Sequence, residues 1–201
     1  GEVFPESRSQ SDLDSGKFEC KCNYCGSVLE LKPTDEDSKI HPESIYGITK
    51  SNQEQMVLMS CKSLNISAVA LRYQNVYGPG QSLTNPYTGI LSIFSTRILN
   101  NNSINVFEDG EESRDFVYID DVIDATMLAI QKDIKNNIAL NVGSGVSTTV
   151  KYLAYSLKKL YGSDIEVNIS GDYRIGDVRH NKADIEKVKE VLGFSPKTSF
   201  E

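Results

Sequence analysis

Tyr46-Gly-Ile-Thr-Lys50 sets a phenol and an ammonium four residues apart. On a helix, positions i and i+4 share one face, and an ammonium held beside a phenol favours the phenolate. A free phenol titrates near pH ~10, whereas general-base catalysis wants a pKa close to the operating pH. The pair therefore reads as a proton-transfer device. Spacing alone does not decide this, because Tyr155-Ser-Leu-Lys-Lys159 repeats it. There Val150, Leu153, Ala154, Leu157 and Leu160 trace an apolar stripe, and Tyr155 and Lys159 read as surface residues of an amphipathic helix.

A second set of reactive side chains is Cys20-Lys-Cys22-Asn-Tyr-Cys25-Gly26, whose Cys-x-x-Cys-Gly portion has the spacing of one zinc knuckle. A full site needs four ligands, and His41 is the available fourth, although no spacing compels it. Structural zinc at Cys20, Cys22 and Cys25, reduced loop cysteines, and a site completed by a neighbouring segment all stay open. A disulfide does not suit a reducing compartment. Cys61 lies in an apolar stripe and reads as packing.

These groups need elements to hold them. Residues 1–40 are polar, broken by Pro5, Gly16, Gly26 and Pro33, and read as an irregular insert. A helix is expected over 44–64, with Met56, Val57, Cys61 and Leu64 inward, followed by a buried strand over 66–73. Gly78-Pro79-Gly80 marks a loop. Further helices are expected at 89–100, 120–132, 148–162 and 183–192, and strands at 104–107, 116–118, 139–142 and 165–169. Asp120 and Asp121, which open a helix, read as capping and dipole residues. The alternation predicts an α/β protein with helices on a mainly parallel sheet.

The chain has 201 residues, 39% hydrophobic and 24% charged, enough for a well-buried core. Its net charge of -7, with no Lys/Arg-rich patch, argues against nucleic acid or an anionic membrane as partner. It contains no apolar run long enough to span a bilayer and no charged segment leading into an apolar one, so a cytoplasmic location is expected. No Gly-x-Gly-x-x-Gly occurs, and Gly78-x-Gly80 and Gly143-x-Gly145 read as turns.

Taken together, Ser44-Ile-Tyr46-Gly-Ile-Thr-Lys50, Leu71-Arg-Tyr-Gln-Asn-Val-Tyr-Gly-Pro79, Phe107-Glu-Asp-Gly110, Ser113-Arg-Asp-Phe116 and Asn141-Val-Gly-Ser144 resemble the extended short-chain dehydrogenase/reductases. Within that superfamily the chain resembles the NAD-dependent nucleotide-sugar epimerases and dehydratases, from about Thr34 to Phe194. Pro33-Thr-Asp-Glu-Asp37, His41-Pro42 and Ser82-Leu-Thr-Asn-Pro-Tyr-Thr-Gly89 look most like the dTDP-L-rhamnose 4-epimerases, which also carry a cysteine-bearing insert before the tyrosine.

The resemblance implies part of a Rossmann-like doubly wound sheet plus a C-terminal α/β substrate domain. The insert would be 1–40, the Rossmann-like part with the Tyr-x-x-x-Lys helix 41–80, and the mainly substrate-binding part 81–201. It implies Tyr46 as catalytic base, with Lys50 tuning it and binding the nicotinamide ribose, and Tyr73 beside the nicotinamide. Asn75, Arg114 and Arg174 would hold the sugar diphosphate, and Val106 and Phe107 the strand that covers the base. A guanidinium suits phosphate oxygens because it offers a rigid fork of donors. The implied reaction inverts C4 of a dTDP- or UDP-sugar through a 4-keto intermediate, with NAD retained and a homodimer as the full-length assembly.

Two departures qualify this. The family's catalytic Ser or Thr would lie upstream of Gly1, and the chain stops at Glu201, where the family usually starts another helix. The expectation is therefore a portion of a larger epimerase, inactive alone. A 4,6-dehydratase is the near alternative, and a non-catalytic module binding nucleotide sugar is the distant one.

Overall fold

The computed structural model of the chain describes residues 1–83 and 89–200, so the middle of the Ser82–Gly89 motif, residues 84–88, lies outside the described residues. Helices and strands alternate as α1 (Gln10–Asp14), α2 (Ile45–Ser63), β1 (Val69–Tyr73), β2 (Asn75–Tyr77), α3 (Ile90–Leu99), β3 (Ile104–Val106), β4 (Ser113–Tyr118), α4 (Ile119–Gln131), β5 (Ile138–Val142), β6 (Ser147–Thr149), α5 (Val150–Leu160), β7 (Val167–Ile169) and α6 (Glu186–Leu192). The five long expected helices are all present, and the fold is α/β. The chain forms two interleaved units, one of residues 1–31, 77–114 and 147–181, the other of residues 32–76, 115–146 and 182–201.

In the second unit β1 and β5 pair in parallel, from Val69 opposite Ile138 to Tyr73 opposite Val142. Parallel neighbours need a long crossover connection and are covered on their faces, which suits the apolar run Ile138-Ala-Leu140. Leu140 and Val142 are fully buried with Val117, Val122, Ala125, Val188, Leu192 and Phe194, so α4 and α6 supply the cover. Gly193 ends α6 with φ 70°, a left-handed cap that glycine adopts without a Cβ clash.

The Ser44 hydroxyl caps α2 by accepting the Gly47 N–H at 3.0 Å. The helix packs on β1, but not by the expected face. Met56 and Leu64 are 61% and 68% exposed, and Val57 is exposed too. Cys61 is half-buried as expected, and Gly47, Ser51, Glu54 and Leu58 complete the stripe with it. The reason is the lining: small side chains let the helix approach β1, and Glu54 is neutralised there by Arg72 at 2.7 Å.

In the first unit β3 pairs in parallel with β7, and α3 and α5 pack on β3. Phe94, Ile98, Ile104, Val106, Val150, Leu153 and Ala154 are buried, as the stripe on α5 predicted for its first turns. Leu160, at the far end of that stripe, is exposed. The segment before Leu31 is mostly irregular but holds some order. Ser9 caps α1, Lys21 pairs with Val28 in an antiparallel bridge, and Leu13 and Phe18 are buried.

Candidate active site

Tyr46 stands in the first turn of α2, 72% exposed, with Lys50 one turn further on and also exposed. The Tyr46 carbonyl accepts the Thr49 hydroxyl at 2.7 Å, and the Lys50 ammonium donates to Gln53 Oε1 at 3.3 Å. The phenol and the ammonium thus stand on adjacent turns of α2, both open to solvent. In the same unit Tyr73 ends β1, and its hydroxyl is 2.9 Å from that of Thr126 on α4. The Asn75 amide donates to the Asp115 carbonyl at 3.3 Å.

The other predicted residues belong to the first unit. Val106 is fully buried in β3. Phe107 follows it, and the Arg174 guanidinium lies over the Phe107 ring at 5.2 Å. Arg114 donates to the carbonyls of Ser113 and Arg179, at 2.9 and 3.2 Å, and pairs with Asp177 at 3.2 Å. Phe107, Arg114 and Arg174 thus offer an aromatic face and two guanidinium groups, a set able to hold a base and a diphosphate.

Beneath them lies a network that sequence reasoning missed. The Arg179 side chain is fully buried and bonds Glu108 at 2.8 Å, Asp109 at 2.7 Å and Glu19 at 3.0 Å. Burial opposes its charge, but the hydrogen bonds it donates to Asp109 and Glu19 outweigh that and raise its pKa. Glu112, almost fully buried nearby, is pushed up to about 7 by burial and then by Glu108, against the pull of Arg114. The one signal available in the sequence was the run Gly176-Asp-Val-Arg179-His180 directly after Arg174.

Two aspartates are also buried. Asp121 is not a helix cap: it is buried, and its carboxylate accepts the N–H groups of Lys197 and Thr198 at 2.9 and 3.1 Å. Asp115, within the Ser113-Arg-Asp-Phe116 motif, is fully buried and accepts from Ser144, Gly145 and Ala183. The turn reading of Gly143-x-Gly145 holds, with Gly145 at φ 72°.

Zinc at Cys20, Cys22 and Cys25 is not supported. Among the described residues no three His, Cys, Asp or Glu side chains gather as a metal site. The thiols point into different surroundings: Cys25 is exposed with Sγ 3.3 Å from the Ser27 hydroxyl, whereas Cys20 is half-buried and burial pushes its thiol up. His41 instead has its Nδ1 3.2 Å from the Lys39 carbonyl.

A parallel β1/β5 pair covered by helices, with a Tyr-x-x-x-Lys turn on α2, is the architecture of the short-chain dehydrogenase/reductase class. Residues 21–143 match the model of the NAD dependent epimerase/dehydratase family, and the chain belongs to that family. It is 35% identical over 199 residues, 99% of its length, to a dTDP-L-rhamnose 4-epimerase of Burkholderia thailandensis, of which it covers 53%. It is 37% identical over 164 residues to a protein of Methanocaldococcus jannaschii provisionally named as a UDP-glucose 4-epimerase, covering 82% of this chain and 52% of that one. The crystal structure of a Thermotoga maritima UDP-glucose 4-epimerase with UDP-glucose superposes with a TM-score of 0.78 at 39% identity, over 87% of this chain and 55% of that one. A Thermus thermophilus UDP-glucose 4-epimerase in complex with NAD gives 0.76 at 28% identity, over 86% and 55%. The chain spans about half the length of the relatives it matches. No helix among the described residues is long and apolar enough to cross a membrane.

Proposed function

We propose that this chain is the tyrosine-bearing and substrate-binding portion of an NAD-dependent nucleotide-sugar 4-epimerase acting on dTDP-L-rhamnose or a UDP-hexose. The observation that carries this is the exposed Tyr46/Lys50 turn on a capped helix, in a chain that also supplies Arg114 and Arg174. The residues present fit the nicotinamide-ribose end of NAD: an ammonium and a phenol on one helix turn, and Tyr73 at a strand end. The sequence has no glycine-rich phosphate cradle, so the rest of the cofactor would be held by residues outside it.

NAD, held at its nicotinamide ribose by Lys50 and Tyr46 and packed by Tyr73, would supply the acceptor and donor of the C4 hydride. The Tyr46 phenolate, favoured by the Lys50 ammonium, takes the C4 hydroxyl proton and becomes the phenol. Arg114 and Arg174 hold the diphosphate, Asn75 contributes a further hydrogen bond to it, and Val106 and Phe107 cover the base. Because these groups grip the nucleotide and not the hexose, the 4-keto sugar can turn over and be protonated by Tyr46 on return, inverting C4.

The same reading assigns 41–80 to the Rossmann-like part and 81–201 mainly to the substrate-binding part, places the enzyme in the cytoplasm, and expects the chain to be inactive alone. It also expects a homodimer at full length, supported by exposed Met56, Val57 and Met59 on α2.

The test is turnover by the chain extended at its N-terminus with the dinucleotide-binding half of the Burkholderia relative. It is incubated with NAD+ and, separately, dTDP-L-rhamnose, UDP-glucose and GDP-mannose, with a Tyr46→Phe control. A C4 epimer formed by the extended chain and lost in the control is expected. A 4-keto-6-deoxy product selects a dehydratase. No turnover by a folded, NAD-bound protein overturns the epimerase reading for these sugars and favours a binding module.

A further inference from the structure

Glu108 holds φ at 49°, a left-handed conformation that L residues other than Asn and Asp seldom adopt. Such a residue costs on the order of 1 kcal/mol and persists only where its surroundings over-determine it, often at ligand clamps. Here the surroundings are two guanidinium groups. The Glu108 carboxylate is 2.8 Å from Arg8 Nη1 and 2.8 Å from Arg179 Nη1, and all three side chains are buried.

Each arginine has a second anchor. Arg8 also donates to the carbonyls of Phe18 and Asp177, both at 3.0 Å. Arg179 bonds Asp109 and Glu19 and stands 5.9 Å over the Phe18 ring. Glu108 donates its own N–H to the Asp172 carbonyl at 2.8 Å, and the Glu108 carbonyl accepts from Gly171 at 3.2 Å. The left-handed turn therefore falls directly after Phe107 and directly against the strand end that leads to Arg174. Two buried charges and a strained backbone are more than a surface turn needs; Gly110, two residues on, makes the reversal itself at φ 79°.

We propose that Arg8 of the N-terminal segment and Arg179 act through Glu108 as positioning residues, fixing the Phe107 ring and the Arg174 guanidinium as one platform for a nucleoside diphosphate. This rests on the nucleotide-sugar reading above. The segment that carries the cysteines is thereby part of the substrate unit and sets how tightly the nucleotide is held. Arg8 touches no substrate atom. It acts through the Glu108 carboxylate, which sets the direction in which the chain leaves Phe107, while its bonds to the Phe18 and Asp177 carbonyls anchor the guanidinium.

The experiment titrates dTDP and UDP into the extended protein by calorimetry and records melting temperatures in parallel. The variants are Arg8→Lys, Arg8→Met and Arg8→Met/Glu108→Gln, with Tyr46→Phe as a control. Arg8→Met is expected to weaken both nucleotides about tenfold and to lower the melting temperature, because it leaves a buried carboxylate with one partner fewer. Arg8→Lys recovers part of the affinity. The double variant, with the carboxylate charge removed, recovers melting temperature but not affinity, and KM rises while kcat is little changed. Tyr46→Phe binds both nucleotides normally. If the folded double variant binds dTDP and UDP as tightly as the parent, the clamp is structural only and the proposal falls. If the parent binds nucleotides but turns over no sugar, the epimerase reading fails while the clamp stands. Failure of the parent to bind either nucleotide overturns both.

Discussion

Asp115 and Gly143 meet in a contact that leaves no room for a side chain: a Cβ on Gly143 would stand 2.8 Å from Asp115 Oδ2 and 2.8 Å from Gln74 Cγ. The approach lets the carboxylate collect four donors, the Ser144 N–H at 2.7 Å, the Ser144 hydroxyl at 2.8 Å, the Gly145 N–H at 3.0 Å and the Ala183 N–H at 3.1 Å. The turn leaving β5 and the approach to α6 are thereby tied to the residue after Arg114.

Asp115→Asn turns an acceptor-only oxygen into an NH2 group facing N–H donors. Charge-assisted hydrogen bonds are worth about 1.5–3 kcal/mol each, so a loss of about 2–3 kcal/mol in urea unfolding is expected. Gly143→Ala should cost a similar amount, because its Cβ would press on the fully buried Asp115 carboxylate. Stability within 0.5 kcal/mol of the parent for Asp115→Asn would show that these bonds contribute little net energy.

Glu112 gives the protein a pH dependence of unusual sign. Its folded pKa of about 7 lies above the ordinary 4.5, through burial and then the neighbouring Glu108. The folded state therefore holds a proton that the unfolded state has released, and stability falls as pH rises from 4.5 through 7. A shift of this size corresponds to about 3 kcal/mol. Urea midpoints at pH 5, 6, 7 and 8 should decline and then level off, and Glu112→Gln should flatten that decline. Parallel curves for parent and variant over this range would remove Glu112 as the cause.

Much of the backbone plan was legible because its signals are local. Ser44 and Thr149 cap α2 and α5, and Gly193 follows α6 where a left-handed cap was needed. The Tyr46/Lys50 turn and the Phe107, Arg114 and Arg174 set were legible as motifs. What escaped depends on partners far away in sequence. Glu54 is an inward residue of α2 only because Arg72 meets it 18 positions later. Arg179 carries no periodic signature at all, and Glu19 lies 160 residues before it. Asp121 looked like a cap because it opens a helix, yet its acceptors serve residues 197 and 198.

The cysteines should differ in reactivity. The Ser27 hydroxyl, and after it the Ser27 N–H and the Cys22 thiol, hold the exposed Cys25 thiol below its usual pKa, while burial pushes Cys20 above it. Since the thiolate is the nucleophile, iodoacetamide at pH 7 should label Cys25 first and Cys20 at least about tenfold more slowly. Peptide mass spectrometry over a time course reads this directly, and Ser27→Ala should slow Cys25. Equal rates at Cys20 and Cys25 would mean that the hairpin opens faster than it is labelled.

The Arg72/Glu54 pair fixes the helix that carries Tyr46. Arg72 bonds both carboxylate oxygens, Nε to Oε2 at 2.8 Å and Nη2 to Oε1 at 2.7 Å, and donates Nη1 to the Glu36 carbonyl at 3.0 Å. Glu54 lies one turn beyond Lys50, so the fork sets the rotation of α2 on β1. A lysine cannot reproduce two parallel bonds. A double-mutant cycle with Arg72→Lys and Glu54→Gln should return a coupling of about 1 kcal/mol, since both side chains are partly open to water. The hydrogen bond from Arg72 holds Glu54 below 4.5, so its contribution is present above that pH and is lost as pH falls through the folded value. This window lies below that of Glu112, and acid unfolding of Glu54→Gln separates the two. On the proposed epimerase reading, Arg72→Lys in the extended protein should lower kcat and leave nucleotide affinity unchanged, because it turns Tyr46 and Lys50 and not Arg114 or Arg174. A variant that loses nucleotide affinity with kcat intact would contradict that assignment.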